Sequence, residues 1–149
     1  MNLFRNKLCL ALLGLAFLQT PVMADNDEPI SFEQLPLKAQ TLLKQDFADF
    51  KIAFAEKDKD VREKGYEVKF TNGGSIEFNK KGEWKEIDCK NTAVPAKFIP
   101  QPILKQVRKK WGQEKIVKIE RDHKKIKVEL ASDIEITFNK NFKIIEIDD

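Results

Sequence analysis

Apolar residues recur along this chain with two periods, close to four and then two, and the two regimes alternate in blocks. Ala39, Leu42, Leu43 and Phe47 fall at i, i+3, i+4 and i+8, one stripe that predicts a helix of about three turns. Leu35-Pro36 precedes it, with Pro36 suited to the first helical position, and Ser31 with Gln34 three residues on predicts a single capped turn before that. Asp25 to Pro29 reads as a short disordered lead. Four strands are then predicted, Lys51 to Lys57, Tyr66 to Thr71, Ser75 to Lys80 and Glu83 to Cys89. Tyr66, Val68 and Phe70 alternate with Glu67 and Lys69, and Ile76 and Phe78 alternate with Glu77 and Asn79, so one face is apolar and the other wet. Asn72-Gly73-Gly74 and Asn79-Lys80-Lys81-Gly82 supply residues that tight hairpins need.

The pattern then repeats. Aligning Ile76 with Ile136 (136 − 76 = 60) leaves 7 of the 13 positions from Ile76 to Asp88 identical. In the helix the offset is 64, pairing Leu35-Pro36 with Ile99-Pro100, Ala39 with Ile103, Leu43 with Val107 and Phe47 with Trp111. Self-similarity at such a spacing predicts one unit built twice. The predicted fold class is α+β, a tandem repeat of a helix followed by a four-stranded antiparallel meander, with the helices packed on one face of the sheet. The halves run 25–90 and 91–149 and meet in the proline-bearing stretch from Asn91 to Pro102. Whether the strands make one continuous sheet or two is open at this level. Two departures stand out: Gln106 replaces Leu42 on the helical stripe, and Phe142 stands where Gly82 serves the turn. Asn141 is the residue expected to take the left-handed conformation in place of that glycine.

Residues 1–24 change the picture of where the protein works. Arg5 and Lys7 precede an apolar run from Leu8 to Leu18, and Val22-Met23-Ala24 offers a cleavage position before Asp25, the layout of a secretory signal peptide. The apolar part is too short to span a bilayer. Cleavage near Ala24 leaves 149 − 24 = 125 residues, destined for the periplasm or for secretion, with no membrane span in the mature protein. Losing Arg5 and Lys7 takes the basic count from 27 to 25 against 24 acidic residues, so the formal charge falls from +3 to +1. Interspersed, nearly balanced charge gives no electrostatic reason to expect nucleic acid as a partner. Cys89 is the remaining thiol, and one cysteine makes no internal disulfide. Its alternation with Ile87 predicts a buried thiol, the alternative being an accessible one able to form a mixed disulfide.

The sheet faces decide where a partner could dock. Strict alternation puts Ile52, Phe54, Trp84, Glu86, Ile116 and Ile144 on the face away from the helices, apolar anchors among charges that suit a protein or peptide partner. On that reading, truncating Phe54 and Trp84 weakens binding and leaves melting nearly unchanged. The competing reading is that these residues are covered, or that a bulge turns Trp84 inward. No serine or cysteine can be set beside His123 with a supporting carboxylate, so no catalytic residue is assigned and the chain is expected not to be an enzyme. No cofactor is assigned either, calcium being the one candidate. Asp58, Asp60 and Glu63 are oxygen ligands of the kind calcium takes, although Arg62 and Glu63 break the EF-hand pattern and a solvated hairpin tip is the plainer alternative.

Taken together, the leader, the L-P helix start, the stretch F-N-K-K-G-E-W-K-E-I-D-C and the second helix-plus-meander ending in E-I-D-D resemble the PepSY-like, beta-lactamase-inhibitor-like (BLIP-like) proteins exported by bacteria. The resemblance covers essentially the whole mature chain. It implies that each half packs its helix on a four-stranded antiparallel sheet, and that a sheet face of the sort the family's namesake inhibitor uses is the surface to examine. The expectation is an exported non-enzymatic binding protein engaging a protein or peptide, with a hydrolase the target class that the inhibitor resemblance suggests though beta-lactamase inhibition is not implied by it, and with a small-ligand or calcium-responsive envelope module as the rival.

Overall fold

The eight predicted strands become β2 to β9 of a nine-stranded sheet in a computed structural model, which describes residues 27–58 and 65–149. The leader, residues 1–24, lies outside the described residues, as do Asp60 and Glu63. In chain order the elements are β1 (Glu28–Ile30), α1 (Leu37–Asp46), β2 (Ile52–Lys57), β3 (Gly65–Phe70), β4 (Ser75–Asn79) and β5 (Trp84–Asp88), then α2 (Gln101–Trp111), β6 (Ile116–Arg121), β7 (Lys125–Leu130), β8 (Glu135–Asn139) and β9 (Ile144–Asp148). Every strand pairs antiparallel with its neighbours in sequence, and β5 pairs with β6 across the joint, so the sheet is one continuous meander. The predicted strands and helices all form. The described end of the predicted lead is ordered instead: Glu28-Pro29-Ile30 pairs with Lys57-Glu56-Ala55 as an edge strand. An edge is where a sheet tolerates a proline, because the missing N–H need bond to nothing.

One apolar cluster serves the whole sheet. Ala39 and Leu43 from α1 and Ile103 and Val107 from α2 are buried with Val68, Ile76, Ile87, Ile119, Val128 and Ile136 from six different strands. Fully burying each aliphatic side chain contributes about 1.5–3 kcal/mol, and this is the main force flattening both helices onto the sheet. The joint is fastened by aromatics. Phe98 stacks on Phe47 of the α1 terminus at 5.7 Å and meets Trp84 of β5 edge-on at 5.9 Å. Lys97 adds an ion pair to Asp46 at 2.7 Å. Cys89 is fully buried beside this joint, in accord with alternation.

Four irregularities, at matched places in the two halves, reset which way side chains point. The ladder slips between Ile52 and Phe54, between Glu77 and Phe78, between Ile116 and Lys118, and between Thr137 and Phe138. Each slip inserts an extra residue and turns the strand terminus by one face. Ile52 therefore lies opposite Phe70, Trp84 opposite Phe78, Ile116 opposite Leu130 and Ile144 opposite Phe138, all on the core side. Trp84 and Ile116 are buried, and Ile52 and Ile144 pack partly buried against the same cluster.

The hairpin turns are held by side chains as well as backbone. Asn79 Oδ1 accepts hydrogen bonds from the N–H groups of Lys81 and Glu83 at 2.9 and 3.0 Å, and Asn139 Oδ1 does the same for Asn141 and Lys143 at the same distances. Gly82 has φ +78°, and it is Phe142 at φ +57°, rather than Asn141, that takes the left-handed position in the second half. The register after the turn is therefore the same in both hairpins.

Candidate functional site on the open sheet face

The face away from the helices is built by the residues that alternate with the core, and their identity is set by the centre of each strand. Each of β2 to β6 places a glutamate on this face: Glu56, Glu67, Glu77, Glu86 and Glu120. The register sets them side by side, Glu56 opposite Glu67, Glu67 opposite Glu77, Glu77 opposite Glu86 and Glu86 opposite Glu120. With strands about 4.8 Å apart this is a row of five carboxylates crossing the sheet. The row continues as Lys127, Thr137 and Glu146.

Like charges directly opposite destabilise a sheet, and the neighbouring lysines offset part of the cost. Lys118 Nζ lies 2.8 Å from Glu86 and Lys69 Nζ 3.5 Å from Glu67, while Lys127, opposite Glu120, pairs instead with Glu135 at 3.1 Å. Burial works against the charge on Lys118, but the bond to Glu86, with Asp88 and Glu129 nearby, leaves its pKa raised. Glu77, at the middle of the row, has its pKa raised by burial first and by the charges of Glu86 and Glu67 next.

Of the six residues expected on this face, Phe54 and Glu86 lie there. Phe54 pairs opposite Lys69, is 46% exposed, and has the Lys69 ammonium 5.7 Å from its ring centre. Ile52, Trp84, Ile116 and Ile144 are corrected to the core side, because the bulges cancel strict alternation. Trp84 is further fixed by Arg121, whose guanidinium sits 3.6 Å over the indole while its Nε donates to the Trp84 carbonyl at 3.1 Å. Alternation had already sent Glu67, Glu77 and Glu86 to the wet face. What one strand at a time does not reveal is that the glutamates of five strands fall abreast.

Asp58 of the β2–β3 connection donates its N–H to the Gly65 carbonyl at 3.1 Å. Among the described residues no three acidic, histidine or cysteine side chains converge as a metal-binding group. His123 is exposed in the β6–β7 turn, beside Asp122, whose carboxyl is held below its ordinary pKa by the backbone N–H groups of Lys124 and Lys125. Among the described residues no helix is long and apolar enough to cross a membrane.

Among the described residues, a two-helix, nine-stranded antiparallel α+β fold with both helices on one side of the sheet and a charged opposite face defines the class. Residues 64–146 match the family described as "Putative beta-lactamase-inhibitor-like, PepSY-like", and the chain belongs to it. Among solved structures, a protein from Bacteroides thetaiotaomicron, described as a "putative calcium-regulated periplasmic protein", is 46% identical with a TM-score of 0.80, over 85% of this chain and 99% of that one. A "putative periplasmic protein" from Bacteroides vulgatus is 44% identical with a TM-score of 0.80, again over 85% and 99%. Another from the same species, of unknown function, is 36% identical with a TM-score of 0.77, over 83% and 99%. No curated protein matches the sequence.

Proposed function

We propose that this chain is a periplasmic, non-enzymatic binding protein whose open sheet face takes a basic protein or peptide segment. The observation that supports it is the row from Glu56 to Glu120. Lys69 and Lys118 offset the like-charge cost of the row only in part, so a further opposite charge brought to the face is favourable, and complementary potential speeds and orients encounter. Phe54 at the end of the neighbouring row is the exposed aromatic anchor on that face, and Glu86 is the charged residue kept from the sequence reading. The residues 25–90 and 91–149 are read as two copies of one module behind a leader of 1–24, a reading supported by the matched bulges and turns. Two structural relatives described as periplasmic support the location.

The test is calorimetric titration with a lysine-rich peptide at low and physiological salt, on the protein and on the triple variant Glu67→Gln, Glu77→Gln, Glu120→Gln. Binding that weakens with salt and is lost in the variant is expected. Equal binding by both proteins would remove the open face from the account. Because the family takes its description from an inhibitor, a hydrolase is the target class to screen first, with unchanged hydrolysis at saturating protein as the contrary result.

A second reading, calcium response, is favoured by the 46% identical relative described as calcium-regulated and by Asp58, Asp60 and Glu63 in the β2–β3 connection. Calcium titrated into the protein and into Asp60→Asn, Glu63→Gln should give heat in the first and none in the second. Equal heats in both would place any calcium elsewhere.

A further inference from the structure

The two outer edges of this sheet are not alike. One is β1, three residues with Pro29 at its centre, the other is β9, five residues without proline, and each has a neighbour on one side alone among the described residues. Earlier in the chain the same edge is covered. β5 meets β4 with Ser75 opposite Asp88, Ile76 opposite Ile87, Glu77 opposite Glu86 and Phe78 opposite Trp84, and β9 meets β8 with Glu135, Ile136, Thr137 and Phe138 opposite Asp148, Ile147, Glu146 and Ile144. Residues 144–148 thus hold the place of 84–88, down to the bulge. Yet β5 carries β6 on its far side, where Ile119 lies opposite Ile87, Lys118 opposite Asp88, and Lys118 Nζ reaches Glu86 at 2.8 Å. The effect on exposure is large: Ile87 is 0% exposed, whereas Ile147 is 41% and Ile145 59%.

The molecule therefore shows what kind of strand fits this edge. It runs antiparallel, sets an aliphatic residue against the isoleucine, and sets a cation just before it in sequence against the aspartate. β9 repeats the receiving side as Glu146-Ile147-Asp148. A second copy of β9 is the wrong partner. Antiparallel pairing centred on Ile147 would put each Glu146 against the other chain's Asp148, and pairing centred on Glu146 would oppose the two glutamates; β5 and β6 also oppose Glu86 to Glu120, but with Lys118 2.8 Å from Glu86, and β9 brings no cation of its own. Acidic residues on an edge oppose self-association in this way. They do not oppose a basic strand.

We propose that the outer edge of β9 is a docking site for an extended basic segment of a partner protein, added as a further antiparallel strand with an aliphatic residue opposite Ile147 and a lysine or arginine opposite Asp148. Strand addition of this kind draws affinity from backbone hydrogen bonds and selectivity from alternate side chains. It is separable from the open-face reading, since it uses the backbone groups of β9 and Asp148 at one border rather than the five glutamates from Glu56 to Glu120.

The probe is a capped synthetic peptide with the chain's own β6 sequence, Lys-Ile-Val-Lys-Ile-Glu-Arg, from Lys115 to Arg121. Hydrogen exchange and amide shifts read by nuclear magnetic resonance should show slowed exchange and shifts centred on Ile145 to Asp148. Placing glutamate at the peptide position of Lys118 should weaken binding about tenfold, because an opposite-charge pair becomes a like-charge one. The protein variant Asp148→Lys should do the same to the original peptide and restore binding of the glutamate peptide, its melting temperature serving as the check on folding. In the triple glutamine variant of the open face the shifts and slowed exchange at β9 should persist; if they vanish there, or if the shifts fall on β2 to β6 with none at β9, the edge proposal is overturned. No change at β9 with millimolar peptide, or a dimer of the protein that protects β9 without peptide, overturns it as well.

Discussion

The side-chain amide of Gln106 donates a hydrogen bond of 2.7 Å to the backbone carbonyl of Phe142, joining the two positions at which the second half departs from the first. In the first half those positions are Leu42 and Gly82, and a Cβ at Gly82 would come 2.7 Å from Pro36 Cβ and 3.1 Å from the Ala39 nitrogen. There α1 presses directly on the turn. In the second half a phenyl ring at the turn packs partly buried against the core, and a helix residue long enough to reach the turn carbonyl replaces leucine.

The two turns should therefore respond oppositely to exchange. Gly82→Ala is expected to cost more than about 2 kcal/mol, from the left-handed backbone together with the contact on Pro36. Phe142→Gly relieves the left-handed strain while losing the ring's packing, and the smaller net change should appear in urea midpoints of the two variants. Gln106→Ala should lose about 1 kcal/mol, the typical net value of one hydrogen bond.

Truncating the two aromatics of the sequence reading should separate them. Trp84→Ala removes a buried indole held between Phe98 and Arg121 and should destabilise by about 3–5 kcal/mol. Phe54→Ala, at an exposed position, should stay within about 1 kcal/mol in the same thermal unfolding series. If both lower stability equally, Phe54 belongs to the core.

Glu77 makes the stability depend on pH in a predictable direction. Its pKa is raised in the folded state, so folding is favoured by its proton: the contribution is fully present below about 4.5, the unfolded value, and is lost as pH rises through the raised one. Glu77→Gln should therefore raise the melting temperature at pH 7 and change it little at pH 4. A gain of the same size at both pH values would show that charge is not the cause.

Cys89 is fully buried, and burial, with the charge of Asp88, pushes its thiol up to about 11. At pH 8 the native protein should react with a disulfide reagent only through unfolding, while denatured protein reacts at once. Fast labelling of the native protein would instead mark an open path to the thiol.

The predicted strands and helices were legible because each rests on local information. Alternation of Val68 with Lys69, the stripe through Ala39 and Leu43, and the Asn-Gly turns act within a few residues of themselves. The short edge strand at Pro29 was not legible, since three residues carry no period and are strand only because Ala55, Glu56 and Lys57 lie alongside. The facing of Ile52, Trp84, Ile116 and Ile144 failed for a related reason: a bulge is a property of two strands, and neither strand announces it alone.

The sequence by itself determined that a helix and four strands would form, form again, and show one apolar and one wet face, because spacing and turn chemistry are written residue by residue. The tertiary structure alone decided that one sheet runs across the joint, that Glu56, Glu67, Glu77, Glu86 and Glu120 stand in a row, and that β9 is an outer strand of the sheet among the described residues. Register and adjacency are relations between distant segments, fixed only when the shared core chooses which strands lie side by side.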